Sequence, residues 1–468
     1  LIEFDPTSIA ARTLPAAIFT GPYRSFCNLR LKMGVFPPKD RPRLWGVAVS
    51  HHQVEGGDSC DWTAWETAGR TKGGPCGRAA GSWERYEEDA DLAADAGANA
   101  FRFSVSWSRI EPAQGAYDAA ALARYGRFVD RLLARGLEPI VTLHHYTHPG
   151  WFHAETPWTS PASVDAFARF ARRVAEALAP RVRIWVTLNE PLVLLLGGFL
   201  DGQIPPGLAD GRAAGLALGN LYAAHAAAAA ALKDVDPRAA VGLAHNMMDF
   251  VPSRPGWILD RLLASHARRL YNRTFLEAFR TGTWDLWIPP LTRLHGRLPS
   301  LKGSLDFVGV NYYSRLHVEC PAPTRVLSRF AYRDPRGRGL TDNGWEISPE
   351  SFGPLLAEAG ALGLPVLVTE NGLADGDDAR RSAFLRDHVA ALLETERAGV
   401  RVAGYVHWSL VDNFEWLDGY GPKFGLYALD HATLERRPRP SVAVFREIGK
   451  AFLERDLPER HAQKPVHI

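Results

Sequence analysis

Cysteine is scarce in this chain: Cys27, Cys60, Cys76 and Cys320 are the only four among 468 residues, with no C-x-x-C pair and no metal-ligand spacing. That excludes a dense disulfide framework, gives zinc no cysteine site, and suits a reducing cytoplasm. An excess of one charge is also lacking, since 54 basic residues face 52 acidic ones for a formal net charge of +2. A nucleic acid or an anionic lipid surface as partner would require clustered Lys and Arg. Long apolar runs are missing too. The stretch 191–200 carries two glycines and stops well short of the roughly 20 residues that span a membrane, so no membrane partner is expected. Residues 1–32 show no basic start followed by an apolar block and a small-residue cleavage site, hence no secretory signal. We read 1–40 as an N-terminal extension, non-native before Met33 in M-G-V-F-P-P, and 459–468 as a C-terminal tail. What remains is an uncharged partner. The 14 Trp, 13 Tyr and 22 Phe suit the apolar faces of sugar rings as well as they suit a core.

From Trp45 onward, short apolar or β-branched runs alternate with long Ala/Leu/Arg stretches of helical period, the pattern of parallel strands joined by crossover helices. Runs fall at 44–49, 100–104, 138–143, 184–188, 240–243, 307–310, 366–368 and 402–407. Each is short and nearly continuous, as expected of strands buried on both faces. Eight such repeats predict closure into a single (β/α)8 barrel of the α/β class, one catalytic domain over 41–458. Helices are predicted at 83–96, 117–135, 160–178 and 213–235. The long connections at 50–82, 244–300 and 312–348 are rich in Pro, Gly and Trp and read as loops walling a site.

In such a barrel the chemistry sits at the carboxyl ends of the strands. The fourth run leads into T-L-N-E-P at 187–191 and the seventh into V-T-E-N-G at 368–372. Either Glu alone, beside Pro or Asn-Gly, would serve equally well as a cap or a turn residue. Two carboxylates on strands 4 and 7 flank the barrel mouth, the arrangement needed on either side of a scissile glycosidic bond.

Over Trp45 to about Phe452 the chain resembles the family 1 glycoside hydrolases, the β-glucosidase family. S-H-H-Q-V-E-G-G at 50–57 is similar to the family's Q-x-E-G element, which implies that Gln53 binds sugar hydroxyls. F-R-F-S-V-S-W-S-R-I at 101–110 places Arg102 near the nucleophile, where a fixed cation would hold Glu370 ionised by lowering its pKa. In H-H-Y-T-H-P-G-W at 144–151, His145 matches the family His, and Tyr146 stands where a Trp is usual. Asn189 is implied as a partner of the sugar 2-hydroxyl. G-V-N-Y-Y-S at 309–314 supplies Asn311 and Tyr313 as holders of the carboxylates, with Tyr312 left to packing. N-G-W-E-I-S at 343–348 supplies Trp345 on the aglycone side. G-Y-V-H-W-S-L-V-D-N-F-E-W at 404–416, followed by Y-G-P-K-F-G at 420–425, supplies Trp408 under the sugar, Glu415 and Trp416 for its distal hydroxyls, and Phe424 in the wall. His144, His145, His148 and His153 follow no helical ligand spacing, and the resemblance is to a metal-free family, so no metal or cofactor is implied.

The resemblance implies a retaining β-glycosidase acting on β-glucosides, short cellobiose-like oligosaccharides and also β-galactosides and β-fucosides. Glu370 is the nucleophile and Glu190, kept protonated by its surroundings, the general acid/base. Retention requires carboxyl groups roughly 5 to 5.5 Å apart. A 6-phospho-β-glycosidase is the rival within the class, opposed because Glu415 would repel a dianion and Phe424 follows Lys423. A thioglucosidase is opposed by Glu190 being a Glu, and a non-catalytic sugar-binding barrel by the presence of both carboxylates. Homo-oligomerisation is left open.

Overall fold

The chain is described by a computed structural model over residues 18–19, 36, 43–288, 292–321 and 328–454. The expectations for the N-terminal extension, Met33 and the tail therefore lie almost entirely outside the described residues. Eight parallel strands close a barrel: β1 (Leu44–Ala48), β2 (Ala100–Ser104), β3 (Glu138–His144), β4 (Ile184–Asn189), β5 (Ala240–Asn246), β6 (Phe307–Tyr312), β7 (Val366–Asn371) and β8 (Val402–Trp408). Every predicted run is a strand, and each strand pairs with its neighbours in sequence before β8 closes on β1.

Two apolar layers hold the barrel together, because successive side chains on a strand point to opposite faces. Outward-facing Trp45, Phe101, Val141, Trp185, Val310 and Tyr405 join the core beneath the helices. Leu44, Ala100, Ile140, Ile184, Ala240, Phe307 and Leu367 fill the interior with Phe36. Helices Ser82–Asp95, Ala119–Ala134, Ala162–Leu178 and Gly211–Val235 match the predicted ones to within two residues at each end. Aspartates cap two of them: Asp118 accepts from the amides of Ala120 and Ala121, and Asp210 from those of Arg212 and Ala213, satisfying N–H groups the helix itself cannot. Gly211–Val235 is long and apolar enough to cross a membrane. Of its most apolar window 78 % is buried within the protein, so its composition serves the core.

Two expectations need correction. The connections read as loops contain regular elements, among them helices His51–Glu55, Asp61–Thr67, Ile258–Arg268 and Thr274–Thr281 and a hairpin of Thr283–Ile288 with Thr292–Arg297. Asp249–Pro252, Arg315–Glu319 and Arg329–Ala331 form a further small sheet beside the mouth. Pro and Gly marked the boundaries of these short elements and hid what lay between. The predicted runs also stop short at the carboxyl ends of six strands, by one to three residues, four of them because an apolar criterion ends at the first polar residue, His144, Asn189, Asn311 or Thr369. Those polar residues are the last members of the strands, with the direction of their side chains set by the sheet.

Candidate active site

Irregular pairing aims the strand-end residues. Register shifts fall between Val310 and Asn311 on β6, between Val368 and Asn371 on β7, and between Val186 and Asn189 on β4. Such bulges redirect the side chains beside them. Glu190 follows β4 in the left-handed region, φ 46 and ψ 58, a strained backbone for a residue with a side chain. It is held by its amide on the Ala244 carbonyl at 2.8 Å and by Val193 donating to its own carbonyl at 3.0 Å. Gly372, which ends V-T-E-N-G, has a physical reason to be glycine: a Cβ there would overlap the Trp408 carbonyl oxygen.

The two predicted carboxylates come together as members of one buried network, Glu190 being 7 % and Glu370 3 % exposed. Arg102 organises it. Its guanidinium donates to Glu370 Oε1 at 2.5 Å, to the Thr369 carbonyl at 3.0 Å, to Asn189 Oδ1 at 2.6 Å and to Thr142 Oγ1 at 3.1 Å. A guanidinium can only donate, so the atom of Asn189 that faces it must be the oxygen. Asn311 must then present its amide nitrogen to that oxygen at 3.1 Å, and the same nitrogen donates to Glu190 Oε1 at 2.7 Å. The Asn189 nitrogen faces His145 Nε2 at 3.1 Å. His145 is therefore neutral and protonated on Nδ1, in keeping with burial and the Arg102 charge, which lower its pKa well below the ordinary value. Tyr313 donates to Glu370 Oε2 at 2.6 Å.

Burial decides the titration of Glu370. It outweighs the opposing pull of Arg102 and carries the pKa up to about 7, with Glu190 adding to the rise. The expectation that Arg102 sets this pKa low is thus corrected: the cation opposes a larger desolvation cost. Glu190 is held by three side chains. Asn311 and Asn246 donate to its Oε1, the latter at 3.2 Å, and Tyr146 donates to its Oε2.

The remaining predicted residues gather around the same mouth. Gln53 is fully buried and donates to Glu415 Oε2 and Asn413 Oδ1, both at 3.1 Å, while Ser50 fixes its oxygen at 2.7 Å. Burial, with Asp418 and Glu370 nearby, pushes Glu415 up to about 8. Lys423, the cation weighed for a phosphosugar, has its Nζ 3.3 Å from His431 Nε2. Trp416 stacks with His145 and His52 and meets Tyr146 edge-on, and Trp408 stacks with His145 at 6.0 Å. Trp345, Tyr313 and Phe424 pack together on the other side. Tyr312 packs as expected, its hydroxyl on the Ser348 carbonyl at 2.6 Å.

Asn246, Tyr271 and Thr369 were missed. Asn246 ends β5 three residues beyond the predicted run, and following that strand to its end would have found it. Tyr271, whose hydroxyl donates to Asn246 Oδ1 at 3.3 Å, sits in a long connection with no signal in sequence. Of the four clustered histidines only His145 reaches the mouth; His144 packs edge-on against Trp158 and Phe167. Among the described residues, three potential metal-ligand atoms do approach within 4.8 Å, on His52, Asp58 and Cys60. His52 is already bonded to Glu66 at 2.7 Å.

Residues 36–452 match the model of glycosyl hydrolase family 1. The chain is 32 % identical to β-glucosidase A of Thermotoga maritima, over 84 % of this chain and 93 % of that one, and 30 % identical to a β-galactosidase of Pyrococcus woesei, over 88 % and 97 %. Its fold superposes on the β-glycosidase of Pyrococcus horikoshii with a TM-score of 0.80 at 33 % identity, covering 89 % of this chain and 97 % of that one. The Thermotoga maritima β-glucosidase in complex with glucoimidazole gives 0.80 at 30 % identity, covering 88 % and 98 %.

Proposed function

The chain belongs to glycosyl hydrolase family 1 and is a β-glycosidase, and from that premise we propose a retaining mechanism with Glu370 as nucleophile and Glu190 as acid/base. One observation carries this reading: two buried carboxyl groups at the ends of β4 and β7, joined through Arg102, Asn189 and Asn311. Glu370 attacks the anomeric carbon while Glu190 protonates the departing oxygen. Glu190, now ionised, then takes a proton from the water that releases the sugar. Asn189 faces the 2-hydroxyl, where a hydrogen bond that strengthens toward the transition state accelerates the reaction. Gln53, Glu415 and Trp416 bind the distal hydroxyls, Trp408 lies under the ring, and Trp345 and Phe424 wall the aglycone side. Small neutral β-glucosides, cellobiose-like oligosaccharides, β-galactosides and β-fucosides are the proposed substrates. Glucoimidazole, bound by the Thermotoga maritima enzyme, is sugar-like in the same way. We also propose one catalytic domain over 41–458 and a reducing cytoplasm, the latter supported by the buried thiols of Cys60 and Cys76.

Retention is tested by following p-nitrophenyl β-D-glucoside hydrolysis by proton NMR. β-Glucose is expected to appear first and mutarotate afterwards; α-glucose first would overturn the mechanism. A second expectation concerns pH. Glu370 must be ionised to attack, and its pKa lies at about 7. Its protonated fraction grows as pH falls, so kcat/KM should decline through about pH 7, by roughly tenfold per unit on the acid side. The Tyr313 hydroxyl opposes the rise, so Tyr313→Phe should move that acid limb to higher pH. An acid limb unmoved in Tyr313→Phe would separate it from Glu370.

A further inference from the structure

We propose that Tyr146 is the positioning residue that assigns the catalytic proton to Oε2 of Glu190 and stabilises that oxygen once the proton has left. The inference rests on the reading of Glu190 as acid/base and concerns a position where this chain departs from the Trp usual in its family.

The argument follows from which partners can turn. Glu190 Oε1 faces two amide nitrogens, Asn311 at 2.7 Å and Asn246 at 3.2 Å. The nearer amide is not free to flip. Asn311 is oriented by Arg102 through Asn189, and its own oxygen accepts from Thr369 Oγ1 at 2.6 Å. Asn246 is set more loosely, since its partner is the Tyr271 hydroxyl, which can donate or accept. An amide nitrogen only donates, so a proton on Oε1 would meet the locked Asn311 donor at 2.7 Å. Among the described residues Oε2 has one partner, the Tyr146 hydroxyl, and a hydroxyl can accept as well as donate. Tyr146 can therefore accept from a protonated Oε2 and turn to donate when Oε2 is charged. An indole N–H, the group a Trp would bring here, could do only the second.

Tyr146 is held for this role. It is 6 % exposed with φ 68, and its ring meets His145 and Trp416 edge-on. Burial and the neighbouring Glu190 keep its phenol protonated, far above the ordinary tyrosine range. The titratable or charged groups facing the pair are Glu370 from β7, Arg102 from β2, His145 at the end of β3, Tyr271 from the connection after β5 and Tyr313 after β6. In the first step the Oε2–H bond breaks, its proton goes to the glycosidic oxygen together with the electrons of the C1–O bond, and Glu370 bonds to C1. Tyr146 then donates to the newly charged Oε2. In the second step water gives its proton back to Oε2 as its oxygen bonds to C1 and Glu370 leaves.

The test is the basic limb of kcat/KM against pH on p-nitrophenyl β-D-glucoside, which reports the acid. Tyr146→Phe removes the donor to the charged form, so the limb should rise by about one pH unit, a roughly tenfold change in protonation constant. Replacing Tyr146 alone with 3,5-difluorotyrosine keeps the shape and strengthens the donor, so the limb should fall; this variant decides the matter where the Phe protein does not fold. A limb unmoved in the folded variants, with losses confined to KM, makes Tyr146 a wall residue and overturns the proposal. Glu190→Gln is run alongside. A wild-type basic limb in that variant would instead overturn the assignment of Glu190 itself, so the two failures are distinguishable.

Discussion

Glu370→Ala is expected to lose roughly 10⁴ to 10⁶ in kcat, the scale seen when a nucleophile acting within a catalytic unit is removed. Among the described residues no neighbour can take its place. The groups that touch Glu370 are Arg102 and Tyr313, a cation that cannot attack and a phenol whose pKa burial and the adjacent carboxyls raise well above its ordinary range. The truncation leaves a space beside a buried guanidinium, which favours a small anion. Azide should enter it and attack the anomeric carbon from the face Glu370 used, giving an α-glycosyl azide from a substrate with a good leaving group such as 2,4-dinitrophenyl β-glucoside. Mass spectrometry and the anomeric proton coupling read the product. A variant that keeps wild-type turnover, or rescue that yields the β-azide, would remove Glu370 from its role.

The barrel was legible because strands buried on both faces are nearly continuous apolar runs, and eight of them separated by helical stretches leave little choice of topology. The strand-end carboxylates were legible for a related reason: a polar residue ending such a run has to face the mouth. Three things were not. The network around Arg102 joins β2, β3, β4, β6 and β7, and its hydrogen bonds exist only once closure brings these strands together. The pKa of Glu370 depends on how much water closure removes, and a sequence that puts an Arg nearby gives the sign of one contribution without its rival. The third is Tyr271, placed by a π-helical segment, Arg269–Arg273, inside a connection read as loop. The function of Tyr146 belongs to the same class. Sequence identified it as an aromatic substitution, whereas the hydroxyl that distinguishes it meets a group 44 positions away.

Glu190→Ala should divide substrates by their leaving groups. Protonation by a positioned acid is worth roughly 10² to 10⁴ in rate, and only a leaving group that needs the proton suffers that loss in the first step. Cellobiose, whose departing alcohol is a poor leaving group, should fall by that factor. 2,4-Dinitrophenyl β-glucoside departs unassisted, so its first step should proceed nearly as in the wild type. The glycosyl-enzyme then waits for a water molecule that has lost its base, so turnover of this substrate should show a rapid burst of dinitrophenol and a slow steady state. Asn246, Asn311 and Tyr146 remain as donors around the emptied position, a setting that accommodates azide. It needs no deprotonation, attacks from the face opposite Glu370, and should raise the steady rate while giving the β-glycosyl azide. The two variants thus yield azides of opposite configuration, because the two carboxyl groups serve opposite faces of the sugar. Equal losses on cellobiose and the dinitrophenyl glucoside, with no burst and no azide acceleration, would mean that Glu190 holds the site together without donating a proton.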